Sequence, residues 1–307
     1  MNNRLPDGID LITENVGGKL VQFVALHGGR SLSYFDCGLN GFATHHPEIC
    51  SEEPHTVVIS HADADHFGNA STLKTAFPQV NILAHAADRH WIEQPDVLVR
   101  ERYDHARERF AFGYESAQLT AMRQACGDGV HVDGLLSSAD TIELGAFMWQ
   151  VLHIPGHSPG HIGLWNASEG VLLLGDAVLG LGIPGADGRI CMPPTHQFID
   201  DYLRTIEQLK SLPVRTVLSG HWPVLDGNQF QSLLHDSKEC VARDLAFVRS
   251  QLNTGPTTFA QLMQRLNESF RQWPATQDIH YSYALSGYIE YLEQGGELHV
   301  TKGEIYK

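Results

Sequence analysis

Two histidines and two aspartates stand within six residues of the stretch VVISHADADHFGNA, residues 57–70: His61, Asp63, Asp65 and His66. Imidazole and carboxylate together form a ligand set for zinc, iron or manganese. Three further stretches share the pattern of an apolar run closed by a metal-competent side chain: VLHIPG before His157, VLLLG before Asp176 and TVLSG before His221. One histidine after a strand is ordinary loop chemistry, and an aspartate after LLLG can be a helix N-cap. Four such endings in one chain are different, because strand ends on one edge of a sheet can converge. Gly156, Gly175 and Gly220 each precede a ligand candidate. Lacking a Cβ, they predict close backbone approach at the centre.

Placing these residues needs strands that end together. GIDLITEN, KLVQFVALHGG and RSLSYFDCGL read as strands broken by Gly-Gly and Asn-Gly turn signals. HTVVIS is a short buried strand, NASTLKTAFP has helical spacing up to Pro78, and VNILAH is again a strand. The acidic-histidine cluster therefore falls in a strand-to-helix loop, where ligands bind in α/β folds. Residues 96–125 read as an inserted helical segment, expected to be a lid or a dimer surface with Tyr103, His105, Phe110, Phe112 and Tyr114 on its inner face. Strands resume between Thr141 and Gly180, followed by the amphipathic FIDDYLRTIEQLKSL, the strand RTVLSGHWPV and a long helix to about Asn253. Residues 251–307 read as a small appendage, two helices and a hairpin, in the manner of a degenerate winged helix.

The chain has 307 residues, 42% of them hydrophobic, enough for one large domain and a small addition. The expected division is 1–250 for the catalytic domain and 251–307 for the appendage. The formal charge of -15, from 36 acidic and 21 basic residues, argues against a phosphate-backbone binder. The appendage repeats this, with four basic residues against six acidic. Five scattered cysteines with no C-x-x-C pair suggest neither a disulfide framework nor a cysteine zinc knuckle. No signal-peptide core and no membrane-length apolar run is read. The expectation is a cytoplasmic protein with a small-molecule substrate, no nucleic acid, no membrane and, through the inserted helices, a homodimer contact.

In this order, H-x-D-x-D-H, Gly-His, strand-terminal Asp and Gly-His, the motifs resemble the metallo-β-lactamase-fold superfamily over about Gly8 to Gly227. That family has H-x-H-x-D-H in the first position. The resemblance implies an α/β fold, an αββα sandwich of two mixed sheets flanked by helices. It also implies a dinuclear centre. His61, Asp63 and His157 would hold the first divalent ion, Asp65, His66 and His221 the second, and Asp176 would bridge them. A metal-bound hydroxide would attack a small ester, lactone, thioester or phosphoester. Asp65 would orient the nucleophile or shuttle its proton, and His196, Tyr103 or His105 would protonate the leaving group. His161 is expected to hold loop geometry, and Trp222 to wall the pocket or simply pack.

Asp63 stands where the family has histidine. The shell then holds three carboxylates, which two dications and one hydroxide neutralise; a histidine would leave one positive charge. Oxygen ligands favour harder metals. Zinc is the first expectation, with Fe or Mn opened by Asp63 and, on that branch, a diiron or dimanganese redox enzyme. Two further alternatives are a site filled mainly at the second metal, with Asp63 hydrogen-bonded instead of ligating, and a metal-binding regulatory relative with little catalysis. Arg100, Arg102, Arg107 and Arg109 are expected to meet a negative group of the substrate or to pair with Glu101 and Glu108 along the helix.

Overall fold

The computed structural model describes residues 5–28, 31–253 and 255–307. Gly29 and Arg30, at the turn expected after the second strand, lie outside the described residues. Two six-stranded sheets form the centre. The first runs in sequence order through β1 (Ile9–Val16), β2 (Lys19–Gly28), β3 (Ser31–Phe35), β4 (Pro54–Val58), β5 (Asn81–His85) and β6 (Gly134–Leu136). The second is formed by β7 (Thr141–Leu144), β8 (Phe147–His153), β9 (Ile162–Asn166) and β10 (Val171–Gly175), joined by the strands Thr216–Ser219 and Leu225–Asp226. Each sheet mixes antiparallel and parallel pairs: β1–β2–β3 are antiparallel and β3–β4–β5–β6 parallel.

The alternation of side chains along a strand sorts the core into three layers. Along β10, Val171 and Leu173 point into the space between the sheets, against Val24, Phe35 and Val58 of the first sheet. Leu172 and Leu174 point outward, where they meet Tyr202, Ile206 and Leu209 of the helix Ile199–Lys210 and Phe230 of the helix Gly227–Leu252. On the other outer face, Phe23, Val57 and Ile82 are covered by Leu73, Ile92 and Leu98 from helices that follow β4 and β5. Strands apolar on both faces are what two covered sheets require, and VVIS, VLLLG and TVLS read that way.

The inserted segment is broken into short pieces. Pro95–Leu98 runs into a π-helical turn, Val99–Tyr103, followed by the helices Ala106–Phe110 and Ser116–Ala125. Tyr103 and Tyr114 are buried inside, as expected, but Phe110 and Phe112 are not at the site; Phe110 stacks on Phe259 at a centroid distance of 4.5 Å and Phe112 packs tilted against it at 5.1 Å. The C-terminal residues do form two helices, Phe259–Phe270 and Ser282–Gln294, and a strand pair, His299–Thr301 with Glu304–Tyr306. Their apolar side chains join the same cluster as the second sheet and its helices.

Candidate metal centre

Four strands deliver their C-terminal ends to one edge. β4 leads to His61, β10 to Asp176, the parallel strand Thr216–Ser219 to His221, and β8, twice antiparallel to β10 through β9, to His157. Backbone bonds zip the two sheets at this edge. The Gln22 N–H donates to Gly220 O at 3.0 Å, and the Ile162 N–H to Ser60 O at 2.9 Å. Gly220 is needed at the seam: a Cβ there would lie 2.3 Å from Asp176 Oδ1 and 2.6 Å from His66 Cε1. Gly175 adopts φ 56°, and its Cβ would meet the His161 ring at 2.8 Å.

The seven residues named from the sequence come together here. On one side, His61 Nε2 lies 3.1 Å from His157 Nε2 and 3.5 Å from Asp63 Oδ2, and His157 Nε2 is 2.8 Å from that same oxygen. On the other, Asp176 Oδ2 lies 2.9 Å from His221 Nε2 and 3.5 Å from His66 Nε2, with Asp65 3.5 Å from His221 and 4.0 Å from His66. Asp176 also falls within 4.8 Å of the ligand atoms of His61 and His157, which places it between the two groups. Ligands bound to one tetrahedral zinc at about 2.0–2.1 Å stand about 3.3 Å apart.

Each imidazole is oriented by its other nitrogen. His66 Nδ1 donates to Asp36 Oδ2 at 2.8 Å, and His221 Nδ1 to Leu20 O at 2.6 Å. His157 Nδ1 contacts Thr195 Oγ1 at 3.3 Å. His61 Nδ1 contacts Ser60 Oγ at 2.9 Å, and that hydroxyl's proton goes to Asp36. With these contacts on the Nδ1 side, all four Nε2 atoms face inward, the arrangement of metal-ligating histidines. His66 Nε2 and Asp176 Oδ1 are buried without a hydrogen-bond partner. Buried polar atoms are ordinarily satisfied, so the donor set fits a cation. Burial disfavours charge on His66, yet Asp176 and Asp36 outweigh it and push its pKa well up; a cation at Nε2 answers the same field. Burial holds His157 neutral, down to about 4.

Both carboxylates of the D-x-D pair have partners that sequence reasoning missed. Asp63 takes a two-pronged bond from Arg102, Nε to Oδ1 at 2.7 Å and Nη2 to Oδ2 at 2.9 Å. Burial opposes the charge of Asp63, but Arg102 overrides it and holds the carboxyl well below its usual range. Asp65 accepts from Lys19 Nζ at 2.6 Å. Burial again opposes, while Lys19, His66 and His221 keep Asp65 ionised. Asp36 and Asp88 were missed too. Asp36, in left-handed backbone at φ 64°, gathers the Ser60 amide and hydroxyl with His66. Asp88 clips the loop of His61 to that of His157 by accepting from the Ala62 and Gly160 amides and the Ser158 hydroxyl. The strand-end aspartate in SYFDCG was the one legible signal; nothing local marks Lys19, Asp88 or Arg102.

The remaining candidates fall elsewhere. His196 is fully buried, stacked on Tyr202 and bonded through Nε2 to the Tyr288 hydroxyl at 2.7 Å, and is not among the residues lining the cavity. His105 faces Arg102 O and Ser286 Oγ. Neither meets the cavity, so the expectation that they protonate a leaving group is corrected. Tyr103 lines the cavity, but its hydroxyl accepts from the Ala64 amide. His161 acts on geometry as expected, its Nε2 accepting from the Asp176 amide at 2.9 Å. Trp222 packs by Gly180 and the outer cluster and does not line the cavity. Arg100, Arg107 and Arg109 pair with Glu101, Asp104 and Glu293.

Above the centre lies a cavity of about 470 Å³. Val16, Leu39, Met122, Ile183 and Met192 give it apolar walls, and the segment Pro274 to Tyr283 contributes its far side. Among the described residues, no helix is long and apolar enough to cross a membrane.

The sequence model of the metallo-beta-lactamase superfamily matches residues 35–221, a span containing all seven residues. The probable metallo-hydrolase YqjP of Bacillus subtilis is 24% identical over 233 residues, 68% of this chain and 66% of that protein. A hydroxyacylglutathione hydrolase of Erythrobacter litoralis is 31% identical over 87 residues, 28% of this chain and 32% of its own. The chain thus spans from about a third to just under two thirds of the curated relatives named here. A solved metallo-beta-lactamase family protein from Thermus thermophilus superposes with a TM-score of 0.77 at 18% identity, covering 99% of this chain and all of its own. With the αββα sandwich and the matched span in hand, the chain belongs to the metallo-beta-lactamase superfamily.

Proposed function

We propose that this protein is a metal-dependent hydrolase of small acyl thioesters. The observation that carries the reading is the inward convergence of seven donor side chains at the floor of an apolar-walled cavity. His61, Asp63 and His157 would hold one divalent ion, Asp65, His66 and His221 another, with Asp176 shared. Bound there, the ions would supply a water activated at neutral pH and Lewis-acid polarisation of the carbonyl.

The chain's own residues do the rest. Asp65 is held ionised by Lys19 and cannot store a proton near neutral pH; its role is to orient water as an acceptor. Lys19 spends one N–H on Asp65 and lines the cavity, so its charge faces the place where a carbonyl oxygen becomes negative. The apolar walls suit an acyl arm. Lys19 apart, whose proton, burial notwithstanding, is held more tightly than usual by Asp65, groups that would release a proton near neutral pH are scarce among the described residues lining the cavity. Burial, then the charge of Lys19, pushes His280 down to about 4, and burial pushes the Tyr103 and Tyr283 hydroxyls up. A leaving group that departs without a proton suits such a site, and a thiolate, with a parent pKa near ~8.5, is one. The partial likeness to a hydroxyacylglutathione hydrolase supports the same class.

The test is a panel of glutathione and acyl-coenzyme A thioesters, carboxylic esters, lactones and phosphodiesters, with zinc-loaded and chelated protein. Thioesters should lead the other classes by at least about tenfold in kcat/KM, with the activity lost on chelation. Phosphodiesters in the lead, or activity indifferent to chelation, would overturn the reading.

A further inference from the structure

We infer that Asp63 and Arg102 act as one neutral ligand unit, standing in charge where the family has a histidine. The inference rests on the metal-dependent reading above and concerns how its first site is built. A lone aspartate at that place adds a negative charge to the shell. Here the charge is cancelled by a guanidinium only 1% exposed, held edge-on to both carboxylate oxygens.

Arg102 is held closely in this position. A guanidinium has five N–H donors. Four of them find Asp63 Oδ1, Asp63 Oδ2, His157 O at 2.9 Å and Gln197 Oε1 at 3.5 Å. The fifth lies at the metal-facing edge of His157, 3.1 Å from Nε2. Tyr283 stacks beside it, with the guanidinium carbon 5.5 Å from the ring centroid. The π-helical turn Val99–Tyr103 brings both Arg102 and Tyr103 to the metal motif, Arg102 to Asp63 and Tyr103 to the Ala64 amide. Such turns recur at functional sites.

Two consequences follow. The inserted segment is a fixed wall of the metal centre at this turn, because lifting it would leave the buried Arg102 guanidinium and the partly buried Asp63 carboxylate without each other. The charge count made from Asp63, Asp65 and Asp176 alone also overstates the negative charge of the shell. With Arg102 included, the first site has the net charge of the histidine version, and preference for Fe or Mn over zinc loses its electrostatic ground. Placing histidine at position 63 alone would leave Arg102 buried, unpaired and next to a dication, with like charges at close range.

The experiment counts zinc per chain by elemental analysis, and measures its affinity by competition with a chelating dye, in the wild type, Asp63→His and Asp63→His/Arg102→Met. We expect two zincs in the wild type. In Asp63→His the more weakly held zinc should bind about 10–100-fold less tightly, the scale for loss of an outer-shell partner. The double variant should regain it, because a neutral ligand then has a neutral neighbour. Asp63→His binding two zincs as tightly as the double variant would overturn the inference, as would a double variant that holds only one. If Asp63→His fails to fold, a folded double variant with two zincs still supports the pair. One zinc in the wild type overturns the unit while leaving the hydrolase reading in place; no metal in the wild type overturns both.

Discussion

Lys19 and Gly220 show how much of the site depends on single atoms. Lys19 is the cation that meets both Asp65 and the cavity. Lys19→Met keeps the stem and removes the charge. It should lower kcat by about 10²-fold with a smaller change in KM, the cost of losing one oxyanion donor; steady-state kinetics on the best thioester checks this, and an unchanged kcat would remove Lys19 from the mechanism. Gly220→Ala adds one methyl group where the nearest atoms are Asp176 Oδ1 and the His66 ring. Neither buried side chain can retreat without breaking the ligand set. The variant should fold with a normal circular dichroism spectrum and lose at least about tenfold in zinc affinity, the scale for disturbing groups around a metal; dye competition measures it.

At the scale of elements, short connectors control the geometry. The helix Arg89–Glu93 begins at Asp88, whose carboxylate joins the two ligand loops. Asp88→Asn keeps the volume but turns one acceptor into a donor facing N–H and O–H groups. It should weaken zinc binding by about 10–100-fold without touching a ligand, measured by the same competition. Away from the site, Phe259 anchors the C-terminal helix Phe259–Phe270 beneath Phe110 and Phe112 of the inserted segment. Phe259 is fully buried. Phe259→Ala should cost about 3–5 kcal/mol by denaturant unfolding. The helical spacing of the inserted segment was legible, but its π turn was not. Five-residue hydrogen bonding at Val99–Tyr103 is chosen by what Arg102 and Tyr103 reach, and those partners lie 39 residues away in sequence.

For the molecule as a whole, the C-terminal residues are bound into the core. Tyr288 of the helix Ser282–Gln294 meets His196 of the main body, and Tyr281 and Tyr288 both donate to buried Asp244. This network sets a pH dependence. Burial, with lesser contributions from the neighbouring His157 and Arg243, pushes His196 down to about 3 from an ordinary 6.5. Its folded pKa lies below the unfolded one, so its contribution is complete above about pH 6.5 and is lost as the pH falls toward 3. Acidification from pH 7 to 5 should therefore remove about 2 kcal/mol through this residue. His196→Gln keeps a hydrogen-bonding group and cannot titrate. Urea unfolding at both pH values should show a smaller acid loss in the variant by that amount; equal losses would show that His196 charges as readily folded as unfolded.

The sequence by itself determined the types of the candidate ligands, their order and the fold. Unbroken apolar runs mark the strands covered on both faces, and a metal centre calls for imidazole and carboxylate where such strands end. Those are local constraints, so VVIS-HADADH, PGH, GDA and SGH carry them in plain view. Tertiary structure alone decided which charges face those ligands. Lys19 reaches Asp65 across 46 residues, Arg102 reaches Asp63 across 39, and the far wall of the cavity comes from beyond residue 270. It also turned His196 away from the cavity and gave Arg102 to the protein instead of to a substrate. A buried charge is settled by the nearest opposite charge in space, and closeness in space across such separations is a property of the packed sheets, with no period or spacing in the chain to announce it.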